Sequence, residues 1–373
     1  MSANRRPRVL LLIPHLGGGG AERVLELLAR GLNPEKYELH LGLVTQSCID
    51  ATNPLSFVCV HCLGAPRVRG GALRLLTLVR RLKPDLILSG MFHLNFLVLL
   101  LRPLFPRKTC VLVRQNGTVS SALAFAAQPS KTRVLYRLLY RNANKVICQT
   151  QSMAEDLSAE LGLRETRITV LPNPVDLEEI RNFTATVSDL PHIHGPHLLA
   201  VGRLSREKGF DLLLQAMSTV RRLHPDIRLS IAGAGPEETA LKVECHALGL
   251  DSAVSFIGQI ARPWTLFPNA TLFVLSSRHE GMPNALLEAA AGGLPIVALP
   301  ASGGVVELLC GQPGVWLAPE ISVDALAVSL LAALQSLRPG ERFSHAFVEE
   351  FSMSRAIKAY EQLIDQTLED KRR

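Results

Sequence analysis

Thr271-Leu-Phe-Val-Leu275, followed by Ser276-Ser-Arg-His-Glu280-Gly-Met-Pro-Asn-Ala-Leu-Leu-Glu288-Ala-Ala-Ala291, reads as a buried strand, a short loop and a helix. Gly281 and Pro283 shape the loop. The backbone N–H groups of Met282, Asn284 and Ala285 then point outward at a helix start, where unpaired donors and the positive dipole end suit an anion. Glu280 stands before the turn and Glu288 inside the helix. Neither suits a core, because a buried carboxylate without partners is costly. Carboxylates beside a phosphate site are well placed to accept hydrogen bonds from sugar hydroxyls.

The same strand–turn–helix grammar recurs outward from this point. Val201-Gly-Arg-Leu-Ser-Arg-Glu-Lys208-Gly-Phe-Asp211 leaves a strand and carries Arg203 and Lys208 on its loop. Two cations so spaced match the charge of a diphosphate. Ala232-Gly-Ala-Gly235-Pro236-Glu237 is a further glycine turn, with Pro236 at a first helical position. Gly235 reads equally as a turn residue and as a ligand contact. Pro300-Ala-Ser-Gly-Gly-Val-Val-Glu307 repeats the pattern. Near the N-terminus, Gly17, Gly18, Gly19 and Gly20 follow the first strand and precede Ala21-Glu-Arg23. Glycines let the backbone approach a phosphate closely. The run is neither a P-loop, since no Lys-Ser/Thr follows, nor a good G-x-G-x-x-G, since Arg23 takes the last glycine's place.

Short apolar runs alternate with amphipathic segments of helix length along most of the chain. Val9–Ile13, Leu39–Val44, Phe57–Val60, Leu86–Leu88, Cys110–Val113 and Val146–Cys148 are expected strands. Ala21–Leu32, Leu73–Leu82, Thr132–Asn142 and Ser152–Leu161 are expected helices. The pattern pauses at Val170-Leu-Pro-Asn173-Pro174-Val175 and restarts at His197. A second set of strands is expected at His197–Gly202, Arg228–Ala232, Val254–Ile257, Thr271–Leu275, Pro295–Ala298 and Gly314–Leu317. Helices at Asp211–Leu223, Pro236–Leu248, Ala285–Ala291 and Val323–Leu337 separate them. Such alternation implies an α/β chain with parallel sheets covered on both faces. The expected domains are 1–180, a linker 181–196, 197–345, and a C-terminal helix over 346–373 packing back on the first domain. Ligands of open α/β sheets sit outside the carboxyl ends of the strands.

The 373 residues are 47% hydrophobic and 20% charged, which excludes a disordered or fibrous chain. The net charge of +7 is uneven: residues 1–180 hold 23 Lys and Arg against 13 Asp and Glu, residues 181–373 only 17 against 20. A basic first half suggests an anionic partner. With 5% aromatics and no recognisable module, nucleic acid is not the expected one. No apolar run approaches the roughly 20 residues of a membrane span. Arg5, Arg6 and Arg8 before Val9–Ile13 imitate a signal peptide, but the run is short and lacks a cleavage site, so a cytoplasmic first strand is expected. The seven cysteines are scattered. Cys59-Val-His-Cys62 has no second ligand pair, so core thiols are expected there. His192, His194 and His197 are expected to be solvated linker residues.

Together these motifs resemble the retaining GT4 glycosyltransferases, of GT-B fold: two Rossmann-like domains facing a central cleft. The likeness rests on the Glu280/Glu288 pair, the Val201–Gly209 loop, Gly-Ala-Gly-Pro236, Pro300–Glu307 and Asn173 in Leu-Pro-Asn-Pro-Val-Asp, where the family more often has Gly at Pro174. The resemblance implies a nucleotide-diphosphate sugar as donor, UDP-sugar ahead of GDP-mannose. Arg203 and Lys208 would neutralise its diphosphate, Glu288 hold the ribose, and Glu280 hold the donor sugar. Met282, Pro283 and Asn284 would present backbone to sugar and β-phosphate, and Gly18 to Gly20 would close over the phosphates. It implies no cofactor and no metal, and no D-x-D occurs. Many relatives carry His where this chain has Arg114-Gln-Asn116. His93, Asn95, Arg114 and Asn116 are the acceptor-side candidates. The expected acceptor is a glycan or polyprenyl-linked glycan. The basic residues of the first domain beside apolar stretches such as Leu97–Leu101 read equally as a surface for an anionic membrane, on which the enzyme would be peripheral, and as a solvated basic face over a core helix. A GT-B sugar-nucleotide 2-epimerase and a non-catalytic nucleotide-sugar-binding subunit are the competing readings.

Overall fold

In the computed structural model, residues 5–17, 19–45, 57–124, 126, 128–186 and 195–372 are described. They form two compact units, Met1–Pro174 with Met353–Arg373, and Val175–Ser352.

The first unit holds a seven-stranded parallel sheet: β1 (Arg8–Ile13), β2 (Glu38–Leu43), β3 (Cys59–Cys62), β4 (Leu86–Ser89), β5 (Cys110–Arg114), β6 (Lys145–Cys148) and β7 (Ile168–Val170). Their order is β3-β2-β1-β4-β5-β6-β7. β1 pairs with β2 from Arg8↔Glu38 and with β4 from Val9↔Leu86. Side chains alternate across the sheet. Leu10, Leu12, Ile87, Val111 and Val113 join one core, beneath the helices Ala72–Leu82, Phe92–Leu101, Pro129–Tyr140 and Gln151–Leu161. Val9, Leu11, Ile13, Leu88 and Leu112 join the other, beneath Gly20–Gly31 and Met353–Arg372. Both faces are therefore dry, which explains the unbroken apolar runs.

The second unit repeats the plan with β8 (His197–Val201), β9 (Arg228–Ala232), β10 (Val254–Gly258), β11 (Leu272–Leu275), β12 (Ile296–Ala298) and β13 (Val315–Leu317). The order is β10-β9-β8-β11-β12-β13, again all parallel. In each unit the winding reverses direction beside its first strand, so β1/β4 and β8/β11 flank the crevices where ligands of such sheets bind.

Several expectations need correction. The first unit ends at Pro174, before the expected boundary at 180. Residues 181–186, assigned above to a linker, are the last turns of the helix Leu177–Thr186, whose Leu177 and Ile180 are buried in the second unit's core. Residues 187–194, with His192 and His194, lie outside the described residues. His197 is half-buried rather than solvated, bonded through Nε2 to Ser230 Oγ (2.8 Å) and Nδ1 to the Asn269 carbonyl (3.0 Å). The C-terminal helix begins at Met353, and 346–352 belong to the second unit. Cys59 and Cys62 are exposed, because β3 is the edge strand and lacks a neighbour on one side.

Candidate functional site

The loops after β8 and β11 meet at the reversal point of the second sheet. Arg206–Lys208 make one turn of 3-10 helix, closed by Gly209 at φ +63. A Cβ at Gly209 would stand 2.1 Å from the Ser276 carbonyl oxygen, so only glycine allows this approach. Ser276 Oγ donates to the Lys208 carbonyl (2.9 Å), and the Arg278 N–H donates to the Glu207 carbonyl (2.7 Å). Arg278 also forks onto both oxygens of Asp211 (2.6 Å each) while its Nη1 donates to the Arg206 carbonyl (3.0 Å). Burial alone would raise the Asp211 carboxyl, but the Arg278 guanidinium and nearby backbone N–H groups outweigh it and hold it below the usual range.

Beside this staple stand two of the residues singled out in the sequence, Lys208 and Glu280. Lys208 Nζ lies 2.6 Å from Glu280 Oε1, which also accepts from Ser277 Oγ at 2.6 Å. The Glu280 side chain is only 7% exposed and that of Lys208 25%, so the carboxylate is sheltered while the ammonium keeps access to solvent. A buried carboxylate is tolerable here because a cation and a hydroxyl compensate it. The Glu280 N–H donates to the Ala301 carbonyl (3.3 Å), tying in the loop after β12. Arg203 lies exposed on the β8 loop, and Glu288 is buried in the helix Asn284–Ala291. Pro283 caps that helix, with its carbonyl accepting from Leu286 (3.1 Å) and Leu287 (3.2 Å). Met282 and Asn284 beside it are half-buried. Gly235 has a packing reason: its Cβ would fall 2.2 Å from the Leu204 carbonyl oxygen.

The Arg278–Asp211 fork had no sequence signal, since residues 67 apart with no periodic relation give none. Arg278→Ala is expected to raise the donor KM about fivefold to tenfold with kcat changed less, the loss of one partly exposed charged fork. Arg278→Lys should restore only part of it, because an ammonium cannot fork. Steady-state kinetics of the two variants checks this. Equal losses in kcat and in kcat/KM would contradict a positioning role.

In the first unit Gly18 lies outside the described residues. Gly19 caps the helix Gly20–Gly31, and its carbonyl accepts from Arg23 (3.2 Å). Glu22, not singled out in the sequence, is buried in that first turn, and burial pushes its carboxyl up. His93 is exposed at the start of Phe92–Leu101, edge-on to the Phe92 ring. The Asn116 amide donates to the Gly90 carbonyl. Asn95 and Arg114 are corrections, because the packing of Phe92–Leu101 and Met353–Arg372 on the sheet places both in the interior. Asn95 is fully buried and donates to the Arg114 carbonyl (2.7 Å). Arg114 is 1% exposed, donating from Nε to Tyr360 Oη (2.8 Å) and from Nη2 to Asn173 Oδ1. Among the described residues Asn95 Oδ1 and Arg114 Nη1 are buried without a hydrogen-bond partner, and the Asn173 landmark is a partner of Arg114.

Two parallel sheets with glycine turns at their reversal points, and a Lys–Glu pair at one of them, define the class as GT-B. A crystal structure of Anabaena HepE in complex with UDP and glucose superposes with a TM-score of 0.79 over 96% of this chain and 99% of that one, at 18% identity. The profile of "Glycosyltransferase Family 4" matches residues 18–179, and that of "Glycosyl transferases group 1" matches residues 193–349. An uncharacterized glycosyltransferase of Methanocaldococcus jannaschii is 25% identical over 251 residues, 64% of this chain and 61% of that protein. The match thus spans less than two thirds of that relative's own length. The N-acetylgalactosamine-N,N'-diacetylbacillosaminyl-diphospho-undecaprenol 4-alpha-N-acetylgalactosaminyltransferase of Campylobacter jejuni is 26% identical over 310 residues, 80% of this chain and 82% of that protein. The chain belongs to the GT4 glycosyltransferases.

Proposed function

We propose that the protein is a retaining glycosyltransferase that moves a hexose or N-acetylhexosamine from a nucleotide-diphosphate sugar to a lipid-linked glycan. The observation that carries this is the Lys208–Glu280 pair at the second sheet's reversal point, with Arg203 on the same loop and Glu288 in the helix that follows. Lys208 and Arg203 supply positive charge for the diphosphate, and Glu280 accepts from donor-sugar hydroxyls. Glu288 accepts from the ribose. Met282, Pro283 and Asn284 offer backbone to the sugar and β-phosphate, and the Gly18–Gly20 turn contributes to phosphate binding. The acceptor hydroxyl oxygen bonds to the anomeric carbon on the face from which the diphosphate departs. Its proton passes to a diphosphate oxygen, so no protein nucleophile is needed. Catalysis is then electrostatic stabilisation of the leaving group. Since two cations supply that charge, donor turnover is proposed not to need a metal.

UDP is favoured as the donor nucleotide because HepE was solved with UDP and glucose. A polyprenyl-diphosphate-linked acceptor is favoured because the Campylobacter relative is named for one. His93 and Asn116, which follow β4 and β5, are the acceptor contacts retained. The test is transfer from a panel of UDP- and GDP-sugars to an undecaprenyl-diphosphate-linked sugar, with the product's anomeric configuration read by NMR. A product of inverted configuration, or epimerised nucleotide sugar formed without acceptor, would refute the proposal.

A further inference from the structure

One side of the first sheet combines charge of a single sign with exposed apolar surface. Ala72–Leu82, Phe92–Leu101 and Pro129–Tyr140 pack on that side, the second against each of the others. They send Leu75, Val79, Leu94, Val98 and Tyr136 into one core. Their outward surfaces do not read as the polar side of an ordinary surface helix. Leu73 is 78% exposed, Leu100 61%, Val134 55% and Leu138 58%, and Leu104 in the turn after the second helix 49%.

None of these helices, nor that turn, contains an acidic residue. Residues 57–144 hold 14 Lys and Arg and a single carboxylate, Asp85. Asp85 is already engaged, by the Arg8 N–H (2.8 Å) and the Arg5 guanidinium (3.0 Å). Arg114 is internal, and of the other 13 only Arg133 has a carboxylate partner among the described residues, Glu160 at 2.9 Å. The opposite side of the same sheet is different. Gly20–Gly31 and Met353–Arg372 mix both signs, and no large apolar side chain is exposed on them.

We propose that the three-helix side docks on an anionic lipid bilayer. Leu73, Leu100, Leu104, Val134 and Leu138 enter the boundary between headgroups and acyl chains, and the uncompensated cations around them meet lipid phosphates. A bilayer offers anionic and apolar partners at one surface, which is what the face presents. Nucleic acid would use the cations but not exposed Leu and Val, and among the described residues no exposed Phe, Tyr or Trp stands on these three helices to stack with bases. The proposal stands apart from the transferase reading, because vesicle partition is read without turnover.

The experiment is co-sedimentation of the full chain with vesicles of equal parts phosphatidylglycerol and phosphatidylcholine, beside pure phosphatidylcholine. Binding is expected to the anionic vesicles only, at low salt, and to weaken as ionic strength rises past about 0.15 M. Leu100→Ser with Leu138→Ser, and separately Arg81→Glu with Lys131→Glu, should each weaken partition about tenfold or more. All four positions are exposed, and an unchanged melting temperature shows that the fold is kept. Lys358→Glu with Lys371→Glu makes the same charge change on the opposite side and should leave partition unchanged. Absence of binding to anionic vesicles at low salt overturns the proposal, as does an equal loss in that control pair. Retention on immobilised single-stranded DNA without vesicle binding would overturn it in favour of a nucleic-acid surface.

Discussion

Lys208→Ala is expected to lower kcat by about a hundredfold to a thousandfold at saturating donor, the magnitude of losing one preorganised charge contact to a developing oxyanion. Negative charge on the departing diphosphate grows in the transition state, so the loss falls on kcat more than on KM. The geometry adds a second consequence. With Lys208 gone, Glu280 keeps only Ser277 Oγ of its two side-chain partners and becomes a sheltered carboxylate without a cation. Lys208→Arg should recover part of the rate, because charge returns with different reach. Steady-state kinetics at saturating donor checks both variants. Wild-type kcat in Lys208→Ala would remove Lys208 from the machinery.

Arg114→Ala is expected to destabilise the chain by about 3 kcal/mol, from a large buried side chain lost together with its bonds to two buried partners. Tyr360 Oη and Asn173 Oδ1 would each lose the bond from the Arg114 guanidinium inside the first unit. Those partners sit on the C-terminal helix and just before the unit boundary at Pro174, so a single side chain ties three distant parts of the sequence together. Urea unfolding measures the loss. A variant as stable as wild type but with a raised acceptor KM would return Arg114 to the acceptor site.

The apolar runs were legible because parallel strands buried on both faces have no polar partner to hide among. What failed to show was structure without periodicity. Phe92–Leu101 is apolar nearly all round, so no amphipathic stripe marked it as a helix. Ile168–Val170 is a three-residue edge strand, too short to stand out. Leu177–Thr186 was obscured by Pro172 and Pro174 just before it, although Leu177 and Ile180 carry its buried stripe. At the site, Glu280, Lys208 and Glu288 could be singled out because carboxylates and cations next to glycine turns are conspicuous. The supporting contacts could not, since the Arg278–Asp211 fork exists only once two loops converge and the Ser277–Glu280 bond only once its own loop turns. Asn95 and Arg114 misled for the converse reason. Polar residues at a strand's carboxyl end imitate ligand contacts, and only packing shows that they bond to each other, to Tyr360 and to Asn173.

The central claim is that the second unit binds a nucleoside diphosphate through Arg203, Lys208 and Glu288. A thermal-shift comparison of the purified chain with UDP, GDP, ADP and NAD, with chelator present, tests it most directly. A ligand that binds only the folded state raises the melting temperature by mass action. The predicted result is stabilisation by UDP or GDP and not by NAD, abolished in Lys208→Ala and reduced in Glu288→Ala. No shift with any nucleoside diphosphate, or an equal shift in both variants, would contradict the account.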